Sequence, residues 1–375
     1  MKAPAAVLTV LVSLVFPSVC QAQPPFAEIL RRHDKDKDGE LSRSEFPQRA
    51  LQIFDRIDAD KDGVVTAAED AAFRNARLQR RPPPGRRPPL PPLRKPDYAD
   101  VKYGQHERNV FDLWKAESKQ PTPLVIYYHG GGFWGGDKRT LNRALLQKLL
   151  DGGVSVAAVN YRLSNSAPFP AQMHDCARAL QFIRLNAKDY NIDPQRVAAT
   201  GGSAGAGISQ WLAFHEDLAD PDSDDPVEQQ STRISCAVAY AAQTSYDPRF
   251  IKELFDTDQV DGALIPFFGM ESAEDVDDPK FHPLFEESAP INHATADDPP
   301  VMLFYPQRND PLPPNSNGGQ HIHHPKFGFA LKEKLDKLGV ECVVKLREED
   351  PQQAGRVTPV DDYVGFFFKH LGVAN

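Results

Sequence analysis

The stretch ATGGSAGAG, residues 199–207, sets Ser203 inside a Gly-x-Ser-x-Gly pattern. This spacing holds a serine on a sharp strand-to-helix turn with its hydroxyl exposed. A serine hydroxyl is a poor nucleophile near neutral pH and needs a base, usually a histidine, within hydrogen-bond reach. RVAAT before the pattern reads as a strand and AGAGISQWLAF after it as a helix, so the N–H of Ala204 falls at a helix start, where it faces developing negative charge. Upstream, His129-Gly130-Gly131-Gly132 closes an apolar run. Glycines there let backbone N–H groups face a pocket with no side chain in the way.

A second chemistry lies near the N-terminus. DKDKDGELSRSE (34–45) and DADKDGVVTAAE (58–69) repeat one pattern, that of the twelve-residue EF-hand calcium loop. In the first loop Asp34, Asp36, Asp38, the Glu40 carbonyl, Ser42 through water and a bidentate Glu45 are the candidate ligands. In the second they are Asp58, Asp60, Asp62, the Val64 carbonyl, Thr66 and Glu69. Calcium is a hard cation that takes many oxygens, and alternate carboxylates on a curved loop converge on one point. Leu41 and Val65, each at position eight, are placed to pair the two loops through a short strand contact. The loops start 24 residues apart, a compact spacing that resembles the EF-hand pairs of bacterial secreted proteins; outside the cell, where Ca2+ is plentiful and weak sites stay filled, a structural role is expected.

The elements that must position Ser203 lie in residues 98–375. Apolar strands are expected at 124–128, 154–161, 197–201, 234–240, 301–305 and 341–346. Helical periodicity marks 138–150, 171–187, 204–215, 327–338 and 361–370. Such alternation predicts an α/β fold, a mostly parallel sheet with helices on both faces, preceded by a small all-α EF-hand pair.

Taken in order, HGGGF (129–133), NYRLS (160–164), PFPAQMHDCARALQFIR (168–184) and GGSAG (201–205) resemble the α/β-hydrolase esterases of the hormone-sensitive-lipase and bacterial feruloyl-esterase-like groups. YGQHERNVFDLW (103–114) fits the beginning of that domain. The resemblance covers residues 98–375 and implies ester hydrolysis through an acyl-enzyme, with chain order serine, acid, histidine. It also implies that Gly131, Gly132 and Ala204 supply the oxyanion N–H groups. Asp310, in DPLPP after the strand at 301–305, falls near the position of the acid.

The histidine departs from that family. Its expected loop, after the strand at 341–346, reads DPQQAGRVTPVDD and holds none. After Asp310 only His321, His323, His324 and His370 remain. GQHIHHPKFG (319–328) follows the strand that precedes the acid, and such loops gather at the sheet edge where Ser203 sits. His323 is the choice for the base, with His321 and His324 open. The alternatives are a catalytically lapsed, esterase-like binding module, a metal site built from the three histidines, or plain packing.

Composition bounds the partners. A formal net charge of −9 gives no broad basic surface, which argues against nucleic acid. Residues 1–22 read as a signal peptide: Lys2, an apolar run too short to span a bilayer, and a small residue at the cleavage point. No other stretch is long and apolar enough for a membrane span. A secreted or periplasmic protein is expected, acting on a small-molecule or polysaccharide-linked ester. The domains follow as 23–78 for the EF-hand pair, 79–97 for a Pro/Arg-rich linker and 98–375 for the esterase-like domain. Cys176, Cys236 and Cys342 are widely spaced and odd in number, so buried thiols rather than a disulfide framework are expected.

Overall fold

The computed structural model describes residue 30 and residues 33–46, 51–79, 94–347 and 360–373. The expected signal peptide, Cys20, most of the linker and most of the loop after the last strand lie outside the described residues. The chain divides into two compact units, Met1–Pro89 and Leu90–Asn375.

In the first unit, β1 (Leu41–Ser42) and β2 (Val64–Val65) pair antiparallel, with Leu41 opposite Val65 as the repeat predicts. Helices Leu51–Ile57 and Ala67–Gln79 follow the two loops. Leu41, Phe46, Phe54, Ile57 and Val65 form a small core, with Phe46 packed edge-on against Phe54. Two-residue strands contribute little alone; the core beneath the two loops fixes their spacing.

The second unit is built on eight strands: β3 (Tyr98–Lys102), β4 (Val110–Trp114), β5 (Thr122–Tyr128), β6 (Ser155–Val159), β7 (Ile192–Gly202), β8 (Cys236–Tyr240), β9 (Val301–Tyr305) and β10 (Cys342–Leu346). Their order is β10-β9-β8-β7-β5-β6-β4-β3. The pairs from β10 to β6 are parallel, and β4 and β3 close one edge antiparallel. Alternate residues feed opposite faces, the period-two signature of a strand. Leu124, Ile126 and Tyr128 face the core that holds helices Ala171–Leu185, Ala204–Phe214 and Lys326–Leu338. Val125 faces the core of helices Arg143–Asp151 and Val360–Leu371. Cys176, Cys236 and Cys342 are free and buried. Among the described residues no helix is long and apolar enough to cross a membrane.

Two strands escape the apolar pattern. β4 carries Asp112 in its middle, which is buried because the equally buried Lys138 ammonium sits 2.6 Å away. Packing also begins before β3: the Trp114 indole N–H donates to the Arg94 carbonyl at 2.7 Å. Between β8 and β9 lies a segment of short helices, including Pro248–Phe255, Leu264–Phe268, His282–Glu287 and Pro290–His293. Each holds a proline in or near its first turn, which shortens the periodic signal.

Candidate active site

β5, β7, β8 and β9 all end at the same edge of the sheet, so the loops that follow them converge there. Ser203 terminates β7 and precedes helix Ala204–Phe214. Its φ of 54° and ψ of −121° form a strained turn of the kind that costs about 1–3 kcal/mol in a non-glycine residue. The fold holds it there: Ser203 N–H donates to the Tyr240 carbonyl of β8 at 2.9 Å. Gly205 is required for the close approach, since a Cβ there would lie 2.0 Å from the Tyr128 carbonyl oxygen.

The glycine run after β5 bends around this turn, with Gly131 and Gly132 at positive φ. Among the described residues the N–H groups of Gly131 and Gly132 donate to no protein acceptor. The Ala204 N–H belongs to the first helical turn, which has no intrahelical acceptor. His129 is wholly buried and stacks on Tyr161 at 4.2 Å. Its Nδ1–H donates to the Gly130 carbonyl at 2.8 Å, and Nε2 accepts from the Arg108 guanidinium at 3.0 Å. Burial pulls its pKa down to about 4. His129 is therefore a neutral strut of the glycine loop. Arg108, which sequence reasoning left without a role, ties the strut to the Tyr161 and Gly136 carbonyls.

The three histidines after β9 have separate fates. His323 places Nε2 3.0 Å from Ser203 Oγ. With the serine hydroxyl donating, the neutral ring carries its proton on Nδ1. Burial lowers the His323 pKa below its ordinary value, and the charge of Asp261 opposes that shift. His321 is buried, stacks on Phe255 at 5.0 Å and turns Nδ1 to the Ser316 carbonyl. His324 is buried and donates from Nε2 to the Asp310 carbonyl at 2.9 Å. Among the described residues these three rings do not group as metal ligands. Their loop is anchored from β8: the Gln243 amide donates to the Ile322 carbonyl, and Thr244 Oγ1 to the Phe327 carbonyl at 3.0 Å.

Asp310 requires a correction. Its carboxylate is largely exposed and pairs with Arg308 at 2.9 Å, and no hydrogen bond joins it to His323 among the described residues. The residue offers its backbone carbonyl to His324 instead. An arginine two positions away holds the carboxylate outward. The carboxylate whose charge acts on His323 belongs to Asp261, between β8 and β9, although among the described residues no hydrogen bond joins it to the ring either. Asp261 lines the same pocket as Ser203, together with Phe133, Tyr246, Leu264 and Phe327. Its Oδ1 accepts from the Ala263 N–H at 2.8 Å. Its Oδ2 lies against Gly318, where a Cβ would sit only 2.4 Å away. The pocket is partly open to solvent and is lined mostly by apolar side chains.

In the first unit the carboxylates turn into the loops. Glu45 accepts from the N–H groups of Lys35 and Ser42, which holds its pKa down at about 2. Glu69 repeats this with the N–H groups of Ala59 and Thr66. Asp34, Asp36 and Glu45 bring oxygens within 4.8 Å of one another, as do Asp58, Asp60 and Glu69. Asp38 and Asp62 each accept from the N–H two residues on, of Glu40 and Val64. Asp58 Oδ1 is buried with no hydrogen-bond partner. A buried, orphaned carboxylate oxygen is costly, and a calcium ion would satisfy it; the residues fit that ion.

Known proteins share the family and the fold of this chain. The BD-FAE family model matches residues 111–319, and an EF-hand model matches residues 26–49 and 51–69. A probable carboxylic ester hydrolase of Mycobacterium tuberculosis, LipM, is 28% identical over 306 residues, 72% of this chain and 64% of its own length. The carboxylesterase NlhH of the same species is 30% identical over 203 residues, 54% of this chain and 61% of its own. The chain thus spans less than two thirds of the length of these curated relatives. A truncated carbohydrate esterase from gut microbiota shares the fold at 19% identity, with a TM-score of 0.56 over 73% of this chain and 96% of that one. Native esterase 2 of Thermogutta terrifontis does so at 19% identity and a TM-score of 0.54, covering 77% and 97%.

Proposed function

Because this chain belongs to the BD-FAE family, we propose that it is a serine carboxylesterase whose base is His323 and whose acid, acting by its charge, is Asp261. The single observation that carries the reading is the 3.0 Å contact between Ser203 Oγ and His323 Nε2. Ser203 attacks the ester carbonyl while Nε2 takes its proton. The N–H groups of Gly131, Gly132 and Ala204 receive the oxyanion. The imidazolium returns the proton to the leaving alcohol, and Asp261 stabilises it by charge. Water, activated by the same ring, then releases the acid. The competing reading, a lapsed binding module, was motivated by the missing histidine; an imidazole beside the hydroxyl weighs against it.

The apolar pocket suits a short or aromatic acyl group. Trp134, exposed on the glycine loop, offers a flat face to the alcohol part, including a sugar. The N-terminal unit is read as a calcium-loaded EF-hand pair with Asp34, Asp36, Asp38, Glu40 and Glu45 in one loop and Asp58, Asp60, Asp62, Val64 and Glu69 in the other. Export to the periplasm or medium remains part of the proposal, carried by residues 1–22 alone. The test is labelling with a serine-directed fluorophosphonate alongside hydrolysis of p-nitrophenyl acetate and butyrate. Adduct mass on the peptide containing Ser203, with turnover blocked in proportion, is expected. A protein that neither labels nor turns over any of a broad ester panel is the lapsed module.

A further inference from the structure

A second cluster of chemistry-bearing side chains lies at the opposite end of the nucleophile helix. His215 caps the C-terminus of helix Ala204–Phe214, its N–H donating to the Trp211 carbonyl at 2.8 Å. Two short helices of the β8–β9 segment bring Glu287 and His293 to it. One ring nitrogen of each histidine and one carboxylate oxygen of Glu287 lie within 4.8 Å of one another. His215 Nε2 is 2.9 Å from Glu287 Oε1; His293 Nε2 is 3.9 Å from Glu287 Oε2 and donates to the Glu287 backbone carbonyl at 2.8 Å, a contact it must exchange for the ion. The two imidazoles are mostly buried and the carboxylate is partly open to solvent.

Both ring nitrogens of His215 face oxygen acceptors: Nδ1 the Glu216 carbonyl at 2.9 Å, and Nε2 the Glu287 carboxylate. A neutral imidazole has one N–H, so it would turn a lone pair on one of these oxygens. A positive charge between Nε2 and the carboxylate removes that conflict. An Nδ1–H donated to a backbone carbonyl is also how metal-bound histidines fix the tautomer that frees Nε2. The surroundings hold the donors in place: Trp211 stacks on His215 at 4.0 Å, and its indole N–H donates to the Glu287 carbonyl at 3.1 Å.

We propose that His215, Glu287 and His293 bind a divalent transition-metal ion, zinc by preference, that staples the end of the nucleophile helix to the β8–β9 segment. Two imidazoles and one carboxylate are a zinc ligand set, with the fourth position left to water. A tetrahedral ion about 2.0–2.1 Å from each donor needs donors about 3.3 Å apart, so binding requires the His293 ring to release the Glu287 carbonyl and turn its lone pair to the ion. The site differs from the N-terminal loops in donor type: imidazole nitrogen disfavours calcium, which takes oxygen.

The full chain, saturated with calcium so that both loops are filled, is titrated with zinc against a chromogenic chelator and followed by thermal melting. Wild type is expected to retain one zinc per chain and to melt several degrees higher with zinc. His215→Ala and His293→Ala are expected to weaken zinc binding roughly tenfold or more and to lose the melting shift. Glu287→Gln keeps size and shape, and serves if an alanine variant fails to fold; it too is expected to lose the shift. Ser203→Ala is expected to bind zinc as wild type does. Folded wild type that retains no zinc overturns the site. Zinc retained undiminished by His215→Ala/His293→Ala overturns it as well.

Discussion

The calcium-type loops and the ester cleft solve the same problem, gathering charged and polar groups at a point, at opposite ranges along the chain. In the loops every gathered carboxylate comes from within twelve residues, and the loop's own backbone holds it. The N–H groups of Lys35 and Ser42 hold Glu45, and those of Ala59 and Thr66 repeat the arrangement for Glu69. In the cleft each group is held by a different element. β8 holds the Ser203 turn through Tyr240, Arg108 holds the His129 strut, and Gln243 holds the loop that carries His323. A local site is assembled wherever its loop folds, yet its like charges repel until an ion arrives. A distributed site needs no ion, yet exists only when the whole sheet is in place.

The largest effects expected are those of removing the two groups in contact. Ser203→Ala should lower kcat on the order of 10^4- to 10^6-fold, measured with p-nitrophenyl butyrate. His323→Ala should fall in the same range, and Ser203→Ala/His323→Ala should cost little more than either alone, because groups that act as a unit are not additive. His321→Ala and His324→Ala should leave most of the turnover, since one ring packs on Phe255 and the other pins a carbonyl. If His324→Ala alone abolishes activity while His323→Ala retains it, the assignment of the base is wrong.

The carboxylates sharpen the comparison at smaller scale. Asp261→Asn should lower kcat about 10²-fold, below the loss of base or nucleophile, whereas Asp310→Asn should change it less than about threefold, as expected for an exposed pair with Arg308. The pH profile distinguishes an electrostatic role for Asp261 from a structural one. His323 acts as base only when neutral, so kcat/KM must fall as pH drops through its pKa. Burial sets that pKa below the ordinary histidine value of 6.5 and Asp261 partly restores it. The acid limb should therefore lie below pH 6.5 in wild type and move to still lower pH in Asp261→Asn. An unmoved limb in Asp261→Asn, with the limb displaced in Asp310→Asn, would restore the carboxylate after β9 to the role.

The same contrast of range explains what was legible in the sequence. Six parallel strands, the serine turn and both calcium-type loops announce themselves because their signals are local: apolar runs, glycine spacing, alternate aspartates. The carboxylate whose charge acts on His323 does not. Asp261 sits in DTDQVDGAL among other acidic residues, and nothing nearby marks it. Its Oδ2 lies against Gly318, 57 positions on, where a side chain would collide. Asp310 satisfied the positional rule, but Arg308 takes its carboxylate. β4 was hidden by Asp112, an acceptable strand residue only because Lys138 arrives from beyond β5. His323 was within reach of sequence reasoning because elimination left few histidines after β9, and only the fold could choose among them.

The smallest effect expected on turnover is that of calcium removal, and it is the sharpest test of the contrast between local and distributed sites. Chelation leaves Asp58 Oδ1 buried without a partner and the carboxylates of each loop facing one another, so the first unit should lose structure. Among the described residues, the groups named around Ser203, from Arg108 to Phe327, belong to the second unit. With chelator present, a low-temperature melting transition should therefore appear or broaden by calorimetry, while kcat/KM on a small soluble ester stays within about twofold. Glu45→Gln/Glu69→Gln should reproduce the melting change in excess calcium and leave turnover untouched, since bidentate Glu at position twelve closes each loop. A tenfold loss of turnover in that variant would mean that the loops reach the cleft energetically, and that the two regions are one device.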